Sequence, residues 1–219
     1  MSSSFPGSPR VFKGAIVSYD KNSPIPQVIV FQYNPDSLSR TIQAQTSGDE
    51  GDPAESFRYK GPPIETISLE IELDATDDLE HPEQNPDTVI MGVHPKMAAL
   101  EMILYPKSSV VTTNASLAAK GMIEIIGPEG PFTLFIWGFT RILPVRLTDF
   151  RITEEAYDTN LNPIRTKISL SLRVLTYADF SADHVGYSLF LSHQKIKEVM
   201  ASIGSINSLA ATGASFNII

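Results

Sequence analysis

The chain has 219 residues, 42% hydrophobic and 19% charged, so it can bury a sizeable core and is not a fully disordered polymer. Its 17 Lys and Arg against 25 Asp and Glu leave a net charge of −8, a poor balance for general nucleic-acid binding, where cations must displace phosphate counterions. The absence of Cys excludes disulfides, thiolate zinc sites and a Cys nucleophile. No apolar run reaches the roughly 18 residues of a transmembrane helix.

Residues 1–10 read as a Ser/Pro/Gly-rich leader without the apolar core of a secretory signal. A strand is expected over Val11–Ser18. A turn follows at Asn22–Pro26, and a second strand over Gln27–Tyr33, ended by Asn34-Pro35-Asp36. Leu38–Gln43 reads as extended and Thr46–Ala54 as an acidic loop. The clearest strand is Ile64–Asp74. Ile67, Leu69, Ile71 and Leu73 point one way, and Thr66, Ser68, Glu70 and Glu72 the other. Asp74–Thr88 is acidic and proline-containing and is read as a solvated loop.

His94–Tyr105 reads as a helix, with Met97, Leu100, Glu101 and Leu104 at helical spacing, Pro95 in the first turn and Pro106 as the stop. Ser108–Lys120, small and polar, is read as a loop. Strands are then expected at Met122–Ile126, Phe132–Trp137, Gly138–Val145, Thr148–Tyr157 and Arg165–Tyr177. Turns are placed at Gly127–Gly130 and Thr159–Pro163, and a bend or bulge at Gly138. The last strand alternates again, Ile168, Leu170, Leu172 and Val174 opposite Lys167, Ser169, Ser171 and Arg173. A helical pattern runs from Val185 to Ile203, with Gly204 as its stop and a Ser/Ala/Gly/Asn-rich tail beyond. The division is a leader (1–10), a β domain (11–177) and a helical C-terminal extension (178–219).

Catalytic motifs are missing. The four histidines, His81, His94, His184 and His193, have no metal-ligand spacing, and the acidic run 74–87 lacks the alternation and central Gly of a calcium loop. There is no Gly-x-Ser-x-Gly and no Gly-rich phosphate loop. Asp149 and Glu155 would share a strand face, but a carboxylate pair without a cleft does not make a hydrolase. Neither an enzyme nor a cofactor is expected. Basic residues cluster late, at Arg141, Arg146, Arg151, Arg165, Lys167 and Arg173, and acidic ones early. Either these are solvated strand faces, or one copy's acidic loop meets the next copy's basic strand, a head-to-tail contact that builds rings.

Several segments agree in order with one family. They are Phe31-Gln-Tyr-Asn-Pro35, the Gly92–Pro106 helix ending in Leu-Tyr-Pro, Phe135-Ile-Trp-Gly138, Glu154-Glu-Ala-Tyr-Asp158 and Asn162-Pro-Ile-Arg165. Over roughly residues 10–178 the set resembles the contractile injection system tube protein family, the tube-initiator or tube–baseplate adaptor proteins of phage-tail-like particles. Members often carry a LysM module after this domain, and no LysM pattern follows Tyr177.

The resemblance implies a mainly β, α+β fold with one or two helices: a tail-tube-like β-sandwich or partial barrel that completes a β-barrel in a hexameric ring. It implies a structural adaptor joining the spike or hub to the inner tube and templating tube assembly. The partners are its own copies, the tube protein, the hub and other baseplate components, and assembly is in the cytoplasm. The alternative is an anchoring protein acting through residues 178–219. The residues expected at subunit interfaces or facing a lumen are Glu70, Glu72, Asp77, Asp78, Arg165, Lys167 and Arg173, with loops 46–55 and 74–87 as the contacting segments.

Overall fold

The computed structural model describes residues 12–20, 25–46, 58–121 and 130–212, the side chains of 206–212 excepted. The strands are β1 (Ala15–Tyr19), β2 (Gln27–Val30), β3 (Leu38–Gln43), β4 (Ile64–Asp74), β5 (Phe132–Ile136), β6 (Ile142–Glu154) and β7 (Arg165–Val174). The helices are α1 (Thr76–Leu79), α2 (Pro86–Met91), α3 (His94–Glu101), α4 (Ser108–Ala119) and α5 (Val185–Thr212). The expected strand at Met122–Ile126, the leader, most of the loop 46–55 and the end of the tail lie outside the described residues.

All seven strands join one antiparallel sheet in the order β2-β1-β5-β6-β7-β4-β3. The α+β class is therefore as expected, with more helix than the one or two segments foreseen. The sheet curls, and hydrogen bonds at one end give the reason. Phe31 donates its N–H to the Gly14 carbonyl at 2.9 Å. The adjacent Gln32 clamps both main-chain groups of Asp74 through its side-chain amide, at 2.7 and 3.0 Å. In a flat sheet β1 and β4 would lie four strand spacings apart, about 19 Å. Two neighbouring residues, with Cα atoms about 3.8 Å apart, cannot bridge that. The sheet is thus a partial barrel, and the segment after β2 ties its two sides together. Asn34 completes the tie, accepting from the Gly14 N–H at 2.8 Å and donating to the Phe12 carbonyl at 2.8 Å.

The inner face is the core. Ile16, Phe31, Ile67, Ile71, Phe135, Leu143, Ile168, Leu170 and Leu172 are almost wholly buried. Each such side chain contributes about 1.5–3 kcal/mol relative to exposure. Val93, Met97, Leu100 and Ile103 add a stripe from α3 and its flanks, and Phe190 adds one ring from α5. The α3 stripe is offset from the expected one: Leu104 is exposed and Ile103 buried, because the helix ends at Glu101 and the chain tightens into turns.

Four other expectations change. The Ser108–Lys120 loop is a helix, α4. Its hydroxyls bond back onto the helix, Thr112 and Thr113 to the Ser109 carbonyl at 3.0 and 2.8 Å, and Ser116 to Thr113 at 2.7 Å, so they do not compete with the helical ladder. The Asp74–Thr88 loop contains α1 and the start of α2. Two expected strands, Gly138–Val145 and Thr148–Tyr157, are one, β6. A bulge between Leu147 and Asp149 returns Phe150 and Ile152 to the side that Leu143, Val145 and Leu147 occupy. Finally, α5 runs through Gly204 to Thr212. A helix-interior Gly costs only about 1 kcal/mol against Ala, too little to stop a helix that nothing else terminates. The bend expected at Gly138 is present, with φ 74°.

Candidate assembly surface

The outer face of the curled sheet carries the polar half of the same strands. Register makes it a grid. Ser39, Ser68, Ser171 and Asp149 form one row, and Thr41, Thr66, Arg173 and Arg146 the next. Glu70, Ser169 and Arg151 follow, then Glu72, Lys167 and Thr153. The grid exists because side chains alternate along a strand and β4 and β7 pair in register over nine residues, Thr66↔Arg173 to Asp74↔Arg165. Ser and Thr at its centre keep the face polar without bulk; the Ser68 and Ser171 hydroxyls lie 3.4 Å apart.

The seven expected residues divide in two. Glu70, Glu72, Arg165, Lys167 and Arg173 come together on this face. Arg165 bridges Glu72 at 3.4 Å and Asp74 at 2.8 Å. Lys167 meets Glu155 at 2.9 Å, Glu70 accepts from the Ser169 hydroxyl at 3.3 Å, and Arg173 meets Asp179 at 3.2 Å. Asp77 and Asp78 stand apart on α1. Asp77 accepts from the Tyr33 hydroxyl at 3.0 Å, and Asp78 is held by Lys96 at 2.8 Å. The early acids and late bases that looked complementary between copies thus meet partly within one copy, because β4 pairs with β7. Burial opposes ionisation of Asp74. Hydrogen bonds from the Thr76 side chain and main chain and from Arg165 outweigh it, and hold this carboxyl below the usual carboxylate range.

One row is unusual. Arg146 and Arg173 sit directly opposite each other on β6 and β7. Like charges in that position repel. Asp179 relieves Arg173, whereas Arg146 has no ion pair among the described residues.

A second cluster escaped the sequence reading. Glu65, on the inner face of β4 and only 5% exposed, is held by Arg40 of β3 at 2.6 Å and by Lys197 of α5 at 3.3 Å. Beside it, His193 is buried, with Nδ1 3.0 Å from the Thr140 carbonyl. The carbonyl accepts, so Nδ1 carries the proton in the neutral ring, and the buried Nε2 has no partner. Burial pushes this imidazole below its ordinary 6.5; Lys197 and Arg40 push the same way, while Glu65 and the Thr140 carbonyl push back. No local pattern announces the cluster, since its members lie on three elements far apart in sequence.

Among the described residues no group of three or more His, Asp or Glu is placed to hold a metal, and no helix is long and apolar enough to cross a membrane. A cleft of about 900 Å³ opens beside Phe132, Phe180, His184 and Arg146. Phe180 and His184 stack across its wall, centroids 4.7 Å apart and planes 2° apart.

A family model described as contractile injection system tube protein matches residues 13–181. A chain in the six-fold symmetrised cryo-EM structure of the anti-feeding prophage (AFP) baseplate is 13% identical. The match covers 78% of the present chain and 94% of that one, with a TM-score of 0.28. No curated protein matches.

Proposed function

We propose a function from one premise: the chain belongs to the contractile injection system tube protein family. It is therefore a structural, non-enzymatic component of a contractile injection system. Beyond that premise, the reading is an adaptor that forms a hexameric ring, joins the spike or hub to the inner tube and templates tube growth.

The observation that carries this reading is the open partial barrel with a polar outer face on its longest strands. β2 and β3 are edge strands at opposite ends of the sheet order, and all of β3 but Leu38 is exposed. Unpaired edges invite pairing with another chain. Ring closure would satisfy both edges and turn the β4–β7 grid toward a neighbour or a lumen. In that arrangement Glu70, Glu72, Arg165, Lys167 and Arg173 line the shared surface, and Asp77 and Asp78 contact an adjoining ring. Assembly in the cytoplasm into a phage-tail-like particle follows from the same reading.

The test is electron microscopy of hub and tube proteins co-expressed with and without this chain. Short tubes starting from hubs only when it is present support the adaptor role. Tubes that start equally well without it overturn that role and leave family membership intact.

A further inference from the structure

The cluster around Glu65 holds more positive charge than that carboxylate can neutralise. Arg40 of β3 donates through Nε and Nη2 to Glu65 Oε1, at 2.7 and 2.6 Å, and Lys197 of α5 reaches Oε2 at 3.3 Å. A third cation stands in the same field. Arg141, just before β6, is half-buried, and its side chain has no ion pair or hydrogen bond among the described residues. Burial pushes its guanidinium below the ordinary value, Arg40 pushes the same way, and Glu65 pushes back. Three cations therefore gather on one carboxylate, in a chain whose net charge is −8. Like charges away from bulk water repel more strongly, because solvent screens them less. An arginine offers five N–H donors and a lysine three; Glu65 engages a few of those on Arg40 and Lys197 and none on Arg141.

His193 is the fourth member. The residue is 7% exposed, its Nδ1 is taken by the Thr140 carbonyl at 3.0 Å, and its buried Nε2 has no partner. Buried polar atoms are nearly always paired. Burial, Lys197 and Arg40 disfavour the protonated ring, while the Thr140 carbonyl and Glu65 favour it. One added negative group corrects both defects. It offsets the surplus of cations, and its field lets Nε2 take a proton. Guanidinium forks match the paired oxygens of carboxylates, sulfates and phosphates. A metal cation is repelled here, and an apolar group would leave the cations with less water and no counter-charge.

We propose that Arg40, Arg141 and Lys197, gathered on Glu65, form an oxyanion-binding site. On binding, His193 takes up a proton from solvent. The oxyanion has two sources, a free inorganic ion or an Asp or Glu side chain of an adjoining protein. The inference stands on this side-chain cluster and does not require the ring.

Inorganic sulfate is the first probe, because it carries no proton near neutral pH. It is titrated into the full-length protein against chloride at matched ionic strength, and the imidazole C–H signals are followed by NMR, with His193→Gln identifying the ring. Sulfate is expected to move the His193 titration to higher pH in a saturable way and to leave those of the exposed His81 and His94 in place. Arg141→Gln breaks no ion pair of the fold and is expected to weaken sulfate binding about tenfold, the loss of one charge-assisted contact. Arg151→Gln, on the outer face, should bind like the parent. Thermal unfolding checks that each variant folds, and the sulfate response of the unsubstituted chain is read whether or not they do. A tetraglutamate peptide is the second probe: tighter binding than sulfate assigns the site to a protein carboxylate, weaker binding to a free oxyanion. No saturable response to either probe overturns the proposal, whether solvent or another carboxylate of this chain already neutralises the three cations. Equal losses in Arg141→Gln and Arg151→Gln overturn it too, as does a His193 titration indifferent to the bound anion. That failure leaves the adaptor reading standing, and tubes that start without this chain leave the site standing.

Discussion

The two faces of β4 and β7 use the same backbone for opposite ends. Inward, Ile67, Leu69, Ile71 and Leu73 interlock with Ile168, Leu170, Leu172 and Val174, all buried. Outward, the same strands present Ser, Thr, Glu, Lys and Arg, half-buried or exposed. The inner face is closed, with α3 and Phe190 packed on it. The outer face has ion pairs but no covering layer among the described residues. Stability therefore resides on one side and the capacity for assembly on the other, and substitutions separate them.

The largest effect belongs to the inner face. Leu172→Ala, at a fully buried position, is expected to cost about 2–5 kcal/mol through lost burial and the cavity left behind, read by urea denaturation. A loss under 1 kcal/mol would mean that the inner face is not a packed core. Next comes the tie that curls the sheet. A Cβ on Gly14 would lie 2.7 Å from the Phe31 ring and 2.8 Å from Trp137. Gly14→Ala is thus expected to cost about 1–3 kcal/mol by overpacking, with a matching drop in thermal midpoint.

The third effect depends on pH. His193 binds its proton more weakly folded than unfolded. Its contribution is full above pH 6.5 and declines as pH falls through 6.5 toward the lower folded value, because there the unfolded chain binds more protons. The thermal midpoint should fall between pH 7.5 and 5.5, and His193→Gln should flatten that slope. A midpoint that rises on acidification would contradict the burial of this ring beside Lys197 and Arg40. The smallest effect belongs to the outer face. Glu70→Gln and Ser171→Ala should each change stability by about 0.5 kcal/mol or less. If either variant weakens ring or tube formation in sedimentation while its unfolding curve is unchanged, the division between faces is sharpened; a large stability loss would break it.

Much of this was legible. Alternation in Ile64–Asp74 and Arg165–Tyr177 identified β4 and β7, the second ending earlier than expected, at Val174, and sorted their residues correctly into faces, because side chains on a strand alternate whatever lies next to it. Pro95 and the apolar spacing located α3. The segments used for the family resemblance gained a structural reason: Phe31 is core, and Gln32 and Asn34 tie the barrel. The Glu65–Arg40–Lys197–His193 cluster was not legible. Its members come from β4, β3 and α5, and Lys197 lies 132 positions from Glu65. In α4, hydroxyl residues that usually favour turns were absorbed by their own helix, an outcome propensity alone does not settle.

By itself, then, the sequence determined periodicity where it is strong: that β4 and β7 extend, that α3 and the first part of α5 coil, and which side of β4 and β7 is apolar. These are decided by contacts within one turn or one pleat. Only the tertiary structure decided that Ser68 lies beside Ser171, that early acids meet late bases within one copy, and that a seven-stranded sheet curls upon itself. Those outcomes depend on pairing residues about a hundred positions apart, where loop closure and register, rather than local preference, select the partner.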